Sequence, residues 1–189
     1  MEYLKSLIPI FTFFLGVLLI PYIESRKEKT KISAIIEGIK IELADEYNTL
    51  IDSIQTANTS INTRRLMPKN FEHIQLGKKF HLILLEDNLP SIYSSLNNEY
   101  RLAFKNIILL QNQINVKFNF IVENWKSDNI KCRAAEESML YSMLSLYYVI
   151  SKIITEKERF KFPTIPNEEI VAHAAESLKI PQPLLKFNR

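Results

Sequence analysis

The chain has 189 residues, 47% hydrophobic and 24% charged, with a net charge of +3, the material of one domain with a short appendage. That charge is too small and too evenly spread to point to a nucleic-acid partner. The lone cysteine, Cys132, excludes an intrachain disulfide and a cysteine-based zinc site, and it agrees with a reducing compartment.

Only three glycines occur (Gly16, Gly38 and Gly77), eight prolines sit mostly at apparent boundaries, and Leu, Ile, Glu, Lys and Gln are abundant. This texture predicts an all-α protein. Between Lys5 and Glu24 eighteen residues, Ser6 to Ile23, carry no charge. As helix they would reach roughly 27 Å, close to a hydrocarbon core of roughly 30 Å. The run ends "LLIPYIES", without the small-residue pair of a signal cleavage site. The expectation is a retained transmembrane anchor over residues 1–24. Only Lys5 precedes the run, whereas Arg26, Lys27, Lys29 and Lys31 come after it. That asymmetry places the succeeding domain in the cytoplasm and a very short N-terminus outside, and the same cations suit anionic headgroups.

Ile32, Ile36, Ile39, Leu43, Tyr47, Leu50 and Ile54 recur at three-four spacing and predict a helix packed into a bundle. A homodimeric coiled coil is the sharper alternative, but the seam is short for it. "TANTSINTRRLMPKN" (56–70) reads as a polar connector, and its Arg64 and Arg65, with Lys69, Lys78 and Lys79, as a solvated patch. Phe71 to Glu86 reads as a second helix, broken at "EDNLP". Asp87 or Asn88 would then cap a third with Pro90 in its first turn. From Leu89 to Trp125 apolar residues keep helical spacing throughout; unbroken, this is a rod of roughly 55 Å.

"KSDNIK" (126–131) is a turn. "SMLYSMLSLYYVIS" (138–151) has fourteen residues without charge, which is short for a span and fits a buried core helix. "RFKFPTIPN" (159–167) is a Pro-containing linker, after which Asn167 caps a short helix with Glu168 and Glu169 in its first turn. The chain ends in a Pro-broken tail whose Leu184, Leu185 and Phe187 call for docking. The organisation is therefore an anchor (1–24), a helical bundle with one long helix (25–158), and a linker, short helix and tail (159–189).

Catalytic signatures are missing. "LGKK" (76–79) lacks the remainder of a phosphate loop, no G-x-S-x-G exists, and no histidine neighbours Cys132 in sequence. Arg65 and His73, separated by seven residues and Pro68, depart from the Arg-x(4–6)-His pattern of helical nucleases. His73 and His81 share no helical stripe. Glu169, His173 and Glu176 stack on one helical face, a row with metal-ligating chemistry. Ile170, Ala174 and Leu178 lie roughly opposite, so the row reads as a solvated face. No catalytic residue, metal or cofactor is implied.

The layout of span, basic flank, "IIEGIKIELADEYNTL" (35–50) and "LPSIYSSLNNEYRLAF" (89–104) resembles a loose class of uncharacterised bacterial single-pass membrane proteins with a cytosolic helical domain. Proteins of that sort occur in phage-defence and stress loci. The resemblance implies a non-enzymatic inner-membrane protein whose partners are the lipid bilayer and a protein partner or further copies of itself. The alternative is a membrane-disrupting effector acting through clustered transmembrane helices.

Overall fold

The computed structural model describes residues 2–66, 75–126 and 129–181, with side chains from residue 13 onward. The described residues form five α-helices and two short 3₁₀ turns, with no strand. They divide into two compact units, residues 1–38 and residues 39–189.

In the first unit the chain is helical from Glu2 as the opening part of α1 (Glu2–Leu66). In the second, Ile39, Leu43, Leu50 and Ile54 are fully buried, as their spacing requires, and Tyr47 stacks on Tyr147 at 5.3 Å. The seam then continues through Ala57, Ile61 and Arg64, all buried. The run from Thr56 to Leu66, expected as a connector, is therefore the last three turns of α1. Its threonines do not compete with the helix. Thr56, Thr59 and Thr63 donate to the carbonyls of Asp52, Gln55 and Thr59 at 2.8, 2.9 and 2.9 Å, satisfying their hydroxyls along the helix itself.

Residues 67–74 lie outside the described part, and 75–82 carry no helix, unlike the helix expected from Phe71. Side chains elsewhere hold this extended stretch. Asn115 clamps Phe80 from both sides, its Oδ1 accepting from the N–H at 3.2 Å and its Nδ2 donating to the carbonyl at 2.8 Å. Gln111 accepts from the Leu82 N–H at 2.9 Å. Ser53 Oγ accepts from the Lys78 N–H at 3.3 Å. The preceding Gly77 lies so close to α1 that an added Cβ would stand 2.5 Å from Ser53 Cβ and 2.8 Å from its Cα.

Helix α2 (Ile83–Ile92) has no side-chain cap of its own. Instead Glu42 of α1 accepts from the Leu84 and Leu85 N–H groups at 2.8 and 3.0 Å, which satisfies two orphan donors and places a carboxylate at the positive helix end. Pro90 falls inside α2 rather than in a first turn. After a 3₁₀ turn at Tyr93–Ser95, Leu96 is extended and Asn97 caps α3 (Asn98–Asn124), accepting from the Tyr100 N–H at 2.8 Å. The expected rod is thus two helices, the longer about 40 Å. The apolar seam nevertheless crosses the break intact: Leu89, Ile92, Leu96, Tyr100, Ala103, Ile107, Leu110, Ile114 and Ile121 are all buried.

Helix α4 (Asn129–Glu156) packs against α3 and α5. From Met139 to Ile150 all but Tyr141 and Tyr148 are buried, which explains a charge-free stretch without a membrane. Helix α5 (Asn167–Ser177) seats Ile170, Val171, Ala174 and Ala175 on α4. Asn167, expected as its cap, is the first helical residue and accepts from Ser145 Oγ at 3.1 Å. The helix closes through left-handed Lys179 and a 2.8 Å bond from the Ile180 N–H to the Ala175 carbonyl, with Ile180 buried behind it. Leu184, Leu185 and Phe187 of the tail lie outside the described residues.

Candidate membrane-anchoring segment and the buried ion pair

Within the first unit, α1 presents apolar side chains on every side. Phe13, Phe14, Leu15, Val17, Leu18, Leu19, Ile20, Tyr22 and Ile23 are all exposed, Leu18 at 73%. Burying a large apolar side chain stabilises by about 1.5 kcal/mol or more. Nine of them in water therefore forgo more than about 10 kcal/mol, comparable to the whole stability of a domain. Gly16 sits among them with nothing within 4 Å of the position a Cβ would take. Arg26, Lys27, Lys29 and Lys31 come next and are exposed. The Thr30 hydroxyl donates to the Arg26 carbonyl at 3.0 Å, which spares the helix a polar distraction there.

Among the described residues no helix is long and apolar enough to cross a membrane, so the expected transmembrane helix has no support from them. Phe13–Ile23 amounts to eleven residues, about 16 Å as helix, roughly half a bilayer core. The rest of the run, Ser6 to Thr12, and Lys5 lie outside the described side chains.

The other candidates are scattered. Glu169, His173 and Glu176 line the exposed side of α5, with the His173 ring edge-on to Tyr148 at 6.2 Å. Among the described residues no group of three His, Cys, Asp or Glu side chains is placed to hold a metal ion. His81 is exposed, His73 is outside the described residues, and Cys132 is buried. Among the described residues nothing gathers them into a metal-ligating group.

The structure does assemble a polar cluster whose members look unrelated in the sequence. Arg64, expected on a solvated loop, is fully buried against Glu136 of α4. Its Nε and Nη2 donate to the two carboxylate oxygens at 3.0 and 2.8 Å, and its Nη1 to Asn129 Oδ1 at 2.6 Å. The Ser60 hydroxyl adds a third donor to Glu136 at 3.1 Å. A planar fork on a planar carboxylate is the strong form of this pair. Its neighbours Arg65 and Glu137 pair at 2.6 Å in partly exposed positions. With both charges sealed from solvent and their bonding capacity largely used, the Arg64–Glu136 cluster positions α1 on α4 and offers no reactive atom. The spacing Ile54, Ala57, Ile61, Arg64 was the signal that could have found it.

On α1, burial together with the Glu42 carboxylate one turn earlier raises the Glu46 pKa, against a lesser pull from Lys78. Burial lowers the Lys117 pKa on α3. Both are single shifted groups in a structural setting rather than an acid–base pair. No family model, curated protein or solved structure matches the chain.

Proposed function

We propose that the protein is a non-enzymatic, single-pass membrane protein whose helical domain binds a protein partner or further copies of itself at the cytoplasmic face. One observation carries this reading: the exposed, all-round apolar surface of α1 from Phe13 to Ile23, with exposed Arg26, Lys27, Lys29 and Lys31 directly after it. A helix apolar on all sides needs a non-aqueous surrounding. The cations after it favour a cytoplasmic location for the helical domain. In the second unit, by contrast, the buried Arg64 and Glu136 are paired and no group of metal-ligating side chains gathers among the described residues, which suits docking better than chemistry.

Fractionation of cells expressing the full chain tests the anchor. The protein should pellet with membranes and resist alkaline carbonate. Replacing Leu15 and Leu19 with Arg adds about 2.5–3.5 kcal/mol each to insertion near a span centre, and should move the protein to the soluble or aggregated fraction. Recovery of the wild type in the soluble fraction, or unchanged membrane retention of the double variant, would refute the reading. A reporter fused after Arg189 should report cytoplasm, and crosslinking in intact membranes should trap the partner or a second copy.

A further inference from the structure

The turn at the end of α4 is built more rigidly than a connector requires. Lys157, at φ 50°, is one of two non-glycine residues with left-handed backbone among the described residues, and like Lys179 after α5 it closes the helix that precedes it. Four contacts hold the backbone around it. The Tyr100 hydroxyl donates to the Lys157 carbonyl at 2.7 Å, and Phe160 is buried beside Tyr100 with ring centroids 5.3 Å apart. Glu99 accepts from the Phe162 N–H at 2.6 Å, and Glu156 from the Lys161 N–H at 3.3 Å.

Against this fixed frame lies an open cleft of about 780 Å³, lined by Lys152, Glu156, Lys157, Glu158, Arg159 and Lys161 among others. Lys152 is 3.1 Å from Glu156, so that pair is matched. Lys157, Arg159 and Lys161 make no ion pair among the described residues; of the lining carboxylates only Glu158 is left to oppose them, with Glu99 behind at the Phe162 N–H. Cations do suit a helix C-terminus. The dipole, however, does not explain the cleft that all three cations share.

We propose that this cleft binds a phosphate-bearing anion, with the Arg159 guanidinium as the bidentate contact and Lys157 and Lys161 as flanking charges. The phosphate could belong to a free solute or to a lipid headgroup. The site stands independently of the anchor proposal, because it uses only residues of the second unit.

Titration calorimetry on the full chain in neutral detergent tests it, with pyrophosphate and glycerol phosphate as probes. Wild type should bind pyrophosphate saturably at millimolar concentration or below. The double variant Arg159→Gln/Lys161→Gln should lose about tenfold or more, since two charge-assisted contacts disappear. The control pair Lys105→Gln/Lys126→Gln removes the same charge from exposed positions elsewhere and should lose less than about twofold. Equal binding of glycerol phosphate assigns the site to a headgroup, and binding of pyrophosphate alone assigns it to a free phosphate. Absence of saturable binding by both probes, or an equal loss in the control pair, overturns the proposal. All four replaced side chains are exposed, and unchanged melting curves will confirm that the variants fold.

Discussion

Replacing Glu136 by Gln keeps the shape of the side chain and removes the charge that Arg64 faces. In the native chain that carboxylate accepts two guanidinium bonds and one hydroxyl bond at 2.8–3.1 Å with no solvent exposure. Breaking such a pair from one side leaves a buried, uncompensated guanidinium and costs about 3–5 kcal/mol. For a urea slope of about 2 kcal/mol/M, the midpoint tracked by far-UV circular dichroism should fall by about 2 M. The double variant Arg64→Met/Glu136→Leu should recover to within about 1 kcal/mol of wild type, because a packed apolar pair often replaces a buried ionic one without loss. The next residues on both helices provide an internal comparison: the partly exposed Arg65–Glu137 pair should contribute no more than about 1 kcal/mol. If Glu136→Gln costs under about 1 kcal/mol, or if the double variant loses as much as both singles together, the pair is not a contact sealed from solvent.

Three further outcomes are expected. Gly77→Ala should lower the melting temperature, with a loss of about 1–3 kcal/mol, since its Cβ meets the backbone and side chain of Ser53 well inside contact distance. Glu42→Ala should cost about 1–2 kcal/mol by uncapping α2, and hydrogen exchange should quicken first at Leu84 and Leu85. Glu46→Gln should raise stability at neutral pH. The Glu46 pKa lies above its unfolded value, so its contribution is full below the unfolded pKa and is lost as pH rises through the folded one. The glutamine variant should therefore melt higher than wild type at pH 7 and approach it as the solution is acidified. An advantage that grew on acidification would contradict the sign.

The helical seams were legible in the sequence because a period of 3.6 survives irregularity. Tyr100, Ile107 and Ile114 occupy the buried face that their spacing implies, and the fourteen uncharged residues of α4 form the core helix expected of them. That same persistence concealed the break at Leu96 and Asn97: the apolar pattern runs straight across it, and only the Ser and Asn cluster from Ser94 to Asn98 hinted at a cap. Arg64 reads as a solvated residue because a charge beside threonines usually marks a surface. Its role depends on Glu136, 72 positions away, which no local pattern encodes. The extended stretch at 75–82 was equally hidden, since its partners Gln111 and Asn115 belong to a helix some thirty residues further along the chain.

The clamp on that stretch also sets an order of dependence. Gln111 and Asn115 stand one helical turn apart, about 6 Å along α3, while Leu82 and Phe80 are two residues apart in extended chain, about 6.6 Å. Two amide side chains thereby imitate the edge of a neighbouring strand where no sheet exists. Such an imitation lasts only while its template does, so every opening that unwinds α3 must also release the Phe80 and Leu82 amides. Phe80 and Leu82 borrow their persistence from α3, and their two amide protons can never outlast the turn of helix that holds them.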